Sequence, residues 1–185
     1  MTMNNNSLAE IISTFSQSYI NHFKQQHQHL PMVEQDSDWI SPCETGEVDK
    51  EGNIQWQPVA MVEKVSFENV EKALEVELHA DIKTYFSQIY SESIPASCSE
   101  GKLELLFAWN KDDFERLQQN LIGHVLMKRR LKQELTVFFA VTDAEEINLV
   151  IHNQSGEVWA EPVGCEPNKK LANNLSEFFQ LLSLD

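Results

Sequence analysis

Between Leu103 and Val141 the hydrophobic period changes twice, and those changes restrict the fold more than any other stretch of the chain. Leu103, Leu105, Phe107 and Trp109 recur at period two, the spacing of one face of a strand. From Asn110 the spacing becomes helical. Phe114, Leu117, Leu121 and Val125, with Ile122 beside them, form one stripe. Asn110 can accept from the amide of Asp113, which predicts the N-terminal cap. The helix is predicted to run to about Leu131. Leu135 to Val141 is then apolar on both faces, as in a strand in the middle of a covered sheet. A strand, a long helix and a buried strand make a folding core and contain no catalytic set.

The 185 residues suggest one domain spanning 1–185, long enough to bury a core, with residues 1–6 expected to be flexible. No run reaches the roughly 18 apolar residues that a membrane span needs. Met1 to Asn6 has neither the bases nor the apolar core of a secretory leader, so a cytosolic location is expected. Cys43, Cys98 and Cys165 are odd in number and far apart, which argues against a disulfide framework or a zinc knuckle.

The net charge is −15, and its distribution is uneven. From Glu34 to Asp81 there are thirteen acids and three bases, so ten of the fifteen net charges fall on about a quarter of the chain. Such a field repels nucleic acid and anionic lipid and draws basic partners. An acidic surface serving solubility alone gives the same charge.

Elsewhere the pattern predicts a mixed α+β domain, with one largely antiparallel sheet surrounded by helices. Ser7 and Glu10 form a capping box before a helix to about Gln26. His27 to Ile54 reads as a long irregular segment, functional or mobile. Ile54 to Pro58 reads as an edge strand because of its proline. Ser66 is expected to cap a second helix, and a third covers about His79 to Tyr90. Ser91 to Gly101 reads as a loop. Ile147 to His152 and Glu157 to Glu161 form an antiparallel pair around Gln154-Ser155-Gly156. A last helix is expected from about Asn168, with Leu171, Ala172, Leu175, Phe178, Phe179 and Leu182 inward.

Little in the chain points to catalysis. His22, His27 and His29 are the best metal candidates, but no acid completes a zinc spacing, so no metal is expected. His124, beside Gly123, reads as a satisfied histidine at a close helix contact, since an interior glycine costs about 1 kcal/mol against alanine. Cys43 reads as a packed thiol; an enzyme using it with a histidine is one alternative. Lys128, Arg129, Arg130 and Lys132 are explained by the dipole at a helix C-terminus. No cofactor motif is present.

Several segments together resemble the Syd family of bacterial SecY-interacting proteins. They are Ser41-Pro42-Cys43, Trp56-Gln57-Pro58, the Trp109 to Phe114 cap and Asn120-Leu121-Ile122-Gly123-His124. Leu126 to Leu131, Ser155-Gly156-Glu157-Val158 and Leu171 to Leu175 continue the likeness. The resemblance implies a non-catalytic cytosolic protein, peripheral on the inner face of the inner membrane, that binds the basic cytosolic loops of SecY. It extends to the wider Smi1/Knr4-like group, an α+β fold that includes toxin-immunity proteins. An immunity-type protein neutralising a basic toxin is therefore the other alternative.

Charge density and helical spacing, not a motif, select the candidate partner-binding acids. Glu71, Glu75, Glu77 and Asp81 come first, with Glu71 and Glu75 on one exposed helical face. Asp112 and Asp113, at the mouth of the long helix, come second. On this reading, neutralising the first four relieves repulsion and slightly stabilises the fold.

Overall fold

A computed structural model describes residues 6–144 and 146–184; the flexibility expected of the first residues falls, for 1–5, outside the described part. The chain begins with α1 (Leu8–His27), β1 (Met32–Glu34), β2 (Glu44–Thr45), β3 (Asn53–Trp56) and β4 (Val59–Ala60). Next come α2 (Glu68–Leu74), α3 (Ala80–Phe86), β5 (Ile89–Tyr90), β6 (Ile94–Cys98) and β7 (Gly101–Leu105). It ends with α4 (Lys111–Arg130), β8 (Thr136–Thr142), β9 (Ile147–His152), β10 (Val158–Pro162), β11 (Lys169–Ala172) and α5 (Leu175–Phe179). The architecture is α+β, as the residue pattern predicts.

The main sheet is antiparallel, in the order β11-β10-β9-β8-β7-β6, so the doubly apolar strand β8 lies inside it. Pro95, Glu104, Val141, Asn148 and Glu161 stand opposite one another across five strands and share a face. Helix α4 covers the Glu161 end of that row, where Lys128 meets Glu161 and His124 meets Phe138. The neighbouring row, Ile94, Leu105, Ala140, Leu149 and Ala160, is buried on the other face. There Tyr85 of α3 and Phe178 of α5 each pack edge-on to Phe139, with ring centroids 5.5 Å apart. A register shift between Phe138 and Ala140 puts Phe138 and Val141 on the same face although they are three apart. The sheet curls until Lys169 Nζ, at one edge, lies 2.6 Å from Glu100 Oε1, in the hairpin at the other.

Where the structure differs from the sequence reading, long-range pairing has overridden local signals. The segment 91–101 contains a strand, not only a loop. Pro95 is tolerated because β6 is at the sheet edge, where a missing N–H breaks no ladder. The predicted last helix is divided: residues 169–172 supply the outer partner that β10 needs, and only α5 is helical. Asn174 makes the break, accepting the Glu177 amide as the cap of α5 at 2.9 Å. The third helix stops at Phe86, and Ile89–Tyr90 pairs with β4 instead. The irregular segment 27–54 holds β1 and β2, which flank β3, so β3 is a central strand and not an edge. Ser66 Oγ accepts the Glu68 amide at 3.1 Å, but Phe67 occupies the cap position of α2.

The two glycines of interest are opposite cases. Gly123 has nothing within 4 Å of a Cβ built on it, so the close contact expected there is absent. At Gly156, φ is +75° and a Cβ would sit 2.5 Å from the His79 ring. His79 is itself held: its Nδ1 accepts the Asp81 amide and its amide donates to Asn153 Oδ1. Gly123→Ala should therefore stabilise the protein by about 1 kcal/mol. Gly156→Ala should destabilise it by about 2–3 kcal/mol through strain and overlap. Urea unfolding of both variants checks this; destabilisation by Gly123→Ala would show that a neighbour does need that space.

Candidate functional site

The N-terminal end of α4 is anchored from three directions. Asn110 is extended, and its Oδ1 accepts the Asp113 amide at 2.8 Å, the cap that the sequence predicts. Asp113 Oδ2 accepts the Trp109 amide at 2.8 Å, so both ends of the turn are closed. The Asn110 Nδ2 donates to the carbonyls of Ile40 at 3.1 Å and Trp39 at 3.4 Å. Ser41 Oγ donates to the Trp109 carbonyl at 2.5 Å and accepts the Cys43 amide at 3.0 Å. The Ser41-Pro42-Cys43 segment is thus a clamp that lays residues 38–42 along the first turn of α4. Arg116 completes it, pairing with Asp113 at 2.6 Å and lying over the Trp39 ring at 5.2 Å.

The clamp creates a cleft of about 320 Å³ lined by Asp38, Ile40, Pro42, Glu63, Tyr90 and Asp112, together with one cation, Lys111. Three carboxylates from three parts of the chain converge there. Tyr90 donates to Glu63 Oε1 at 3.2 Å, and its hydroxyl is pushed up to about 12 by burial and by the Glu63 charge. Two residues beyond Tyr90, the Glu92 carboxyl is held above its ordinary value by burial and by the charges of Asp113 and Glu104. Glu104 lines a second groove of about 470 Å³ with Pro95, Val141, Lys102 and Asp143, on the strip of sheet that α4 leaves uncovered. The cleft is built against the first turn of α4, whereas the groove is lined by β6, β7 and β8 and carries Lys102 beside Glu104 and Asp143. The helix dipole accounts for Asp112 and Asp113 in the first turn, but not for Asp38, Glu63, Glu92 and Glu104.

The six acids selected from the sequence do not lie together. Ser66, just before α2, accepts from Gln118 Nε2, and Leu74, at its end, accepts from Arg129. Helix α2 thus runs alongside α4, and Glu75 lies at the far end of α4 from Asp112, about 25 Å away at 1.5 Å per residue. Glu71 and Glu75 do not share an exposed helical face. Glu75 is beyond the last turn, in the left-handed region at φ 50°. Glu71 turns inward, accepting the Leu78 amide at 2.9 Å and pairing with Lys83 at 3.0 Å. Burial opposes its charge, but the Leu78 amide and Lys83 outweigh burial and hold its carboxyl below the ordinary value. Glu77 is exposed, and Asp81 sits in the first turn of α3. Of the second pair, Asp113 is engaged by Trp109 and Arg116, while Asp112 is exposed at the cleft. Glu92 and Glu104 escape a sequence reading because only the sheet brings them to α4; no local spacing marks them.

The other chemical candidates have structural roles. Cys43 is buried, and burial pushes its thiol up to about 11, which keeps it protonated and unreactive near neutral pH. His124 lies 3.5 Å from Thr136 Oγ1 and 3.9 Å from Glu161 Oε1, and burial pulls its pKa down. Lys128 is not a solvated dipole partner. It is fully buried, donating to Glu161 Oε2 at 2.9 Å and to the Cys165 carbonyl at 3.1 Å. Arg129 donates to the Leu74 carbonyl, so two of the four bases of that cluster are used inside the fold. Among the described residues no group of three His, Cys, Asp or Glu side chains is placed to hold a metal ion.

Residues 9–183 match the family described as Syd protein (SUKH-2). A Protein Syd of Colwellia psychrerythraea is 53% identical, covering 99% of this chain and 96% of its own length. A Protein Syd of Alteromonas mediterranea is 45% identical over 93% of each chain, and one of Pseudoalteromonas atlantica is 40% identical over 94% of this chain and 92% of its own.

The Glu71 and Glu92 shifts predict opposite effects of removing charge. Glu71, depressed in the folded protein, contributes stability above the ordinary carboxylate pKa and loses it as the pH falls through the folded value. Glu71→Gln should cost about 1 kcal/mol at pH 7 and progressively less in acid. This reverses the stabilisation expected from neutralising it. Glu92 is raised, so its ionisation weakens the fold as the pH rises above the ordinary carboxylate value. Glu92→Gln should be more stable than the parent at pH 7, with the advantage gone in acid. Thermal unfolding of both variants across that pH range decides the matter; the same sign of change at pH 7 would refute the assignment.

Proposed function

The chain belongs to the Syd family, and from that premise we propose that it is a non-catalytic binding protein whose acidic cleft receives the basic cytosolic loops of SecY. It acts at the cytoplasmic face of the inner membrane, held there through its protein partner and not through lipid. Among the described residues no helix is long and apolar enough to cross a membrane. The observation that supports the cleft best is the convergence of Asp38, Glu63 and Asp112 around one hollow. A lysine or arginine entering such a hollow meets opposite charge from more than one side. Glu92 is raised first by burial and then by the charges of Asp113 and Glu104, a second group of acids behind the first turn of α4.

The remaining acids divide by role. Asp112 is part of the cleft, whereas Asp113 and Glu71 hold the fold. Glu75, Glu77 and Asp81, at the other end of α4, add long-range attraction that speeds encounter. An interface of this kind weakens as salt screens it, because the Debye length falls from about 10 Å at 0.1 M to about 3 Å at 1 M.

Binding to SecY-containing membranes should fall steeply between those salt concentrations. The variant Asp38→Asn/Glu63→Gln/Asp112→Asn should lose most of its binding, with faster dissociation. The variant Glu75→Gln/Glu77→Gln/Asp81→Asn should keep its dissociation rate and associate a few-fold more slowly. Retention in 1 M salt, or equal loss by both triple variants, would leave only an apolar interface or overall charge as the cause.

A further inference from the structure

The same cleft has an apolar floor that its carboxylates do not explain. Ile40 is 62% exposed, beside Pro42 and the Tyr90 ring. A single exposed aliphatic residue is ordinary on a protein surface. Ile40 differs in how it is mounted. Its carbonyl accepts from Asn110, which is 7% exposed, and the next residue, Ser41, is 4% exposed with its hydroxyl on Trp109. The backbone is therefore fixed on the buried framework while the side chain faces outward among Asp38, Glu63 and Asp112. Val62, next to Glu63 in sequence, is 93% exposed. A rigid apolar centre inside a charged rim is the arrangement of a protein interface, in which the centre supplies the lifetime and the rim the steering.

We infer that the cleft takes a cationic protein segment carrying one apolar side chain between its bases, with that side chain seated on Ile40 and Pro42. The inference rests on the reading that the cleft receives a basic partner, and it names what that partner must carry besides charge. The rim favours an occupant of positive charge, since its three acids outnumber its one base, Lys111, and an uncharged apolar segment would cover Asp38 and Asp112 without neutralising them. The simplest competitor is the aliphatic stem of a lysine lying on Ile40 in place of a separate apolar residue.

Two lysine-rich peptides of equal charge separate the possibilities, one with a leucine between its bases and one with serine there. Calorimetry on the parent protein should show the leucine peptide binding roughly tenfold tighter, the gain from burying part of one aliphatic side chain. Ile40→Ser should abolish that preference, while Val163→Ser, at a residue 57% exposed elsewhere, should preserve it. Equal binding of the two peptides by the parent, a leucine preference that survives Ile40→Ser, or no binding of the leucine peptide would each overturn the inference. The Asp38→Asn/Glu63→Gln/Asp112→Asn variant tests the underlying reading separately. If it binds the serine peptide as the parent does, the acidic cleft itself is not the binding site, whatever the role of Ile40.

Discussion

Both ends of the Asn110 amide are occupied, and much of the molecule follows from how. The oxygen caps α4, and the nitrogen holds the carbonyls of Trp39 and Ile40, some seventy residues away in sequence. Capping interactions of this type contribute about 1 kcal/mol, and an orphaned buried amide costs about 1–3 kcal/mol. The positional consequence is larger than the energy. The segment carrying Asp38, Ile40 and Ser41 has little regular structure, and this bond, with the Ser41–Trp109 bond, ties it to the one long helix near the cleft. It brings Asp38 and Ile40 beside Asp112, while Glu63 is placed separately through its bond from Tyr90.

The opposite end of α4 is fixed by different chemistry. Lys128 and Glu161 form a buried pair, with Thr136 donating to the same Glu161 oxygen at 2.7 Å. A buried pair of this sort is weak evidence for added stability, because desolvation offsets the attraction. It does define how the helix sits on the sheet: Glu161 belongs to the cross-strand row that ends in Glu104 and Pro95, so docking α4 at one end of the row leaves the other end open. The uncovered strip and the acidic cleft are thus products of where the helix ends, not independent surface features.

Local signals were legible in the residues, and distant pairings were not. The Ser7–Glu10 box and the Asn110 cap occur as their spacing predicts, because each depends on residues three apart. Strand β8 is readable because a strand buried on both faces needs no alternation. Strand β11 is not, because Leu171, Ala172, Leu175 and Phe178 also fit a helical stripe, and only the open edge of β10 decides between them. The acids show the same division. Their density between residues 34 and 81 is visible, yet spacing places Glu71 and Glu75 on one face where the left-handed turn at Glu75 and the pairing of Glu71 with Lys83 separate them. The Ser41-Pro42-Cys43 segment carries no chemistry in sequence; its partner, the carbonyl of Trp109, is a backbone group that no side-chain pattern reveals.

The central claim is that the partner docks at the N-terminal end of α4. Amide hydrogen exchange, measured on the protein alone and bound to SecY-containing membranes, tests it most directly. The account predicts slower exchange on binding over 38–42, 61–65 and 90–93, with 75–81 little changed. Slowing confined to 75–81, or to the β10–β11 turn, with no change at 38–42, would contradict it.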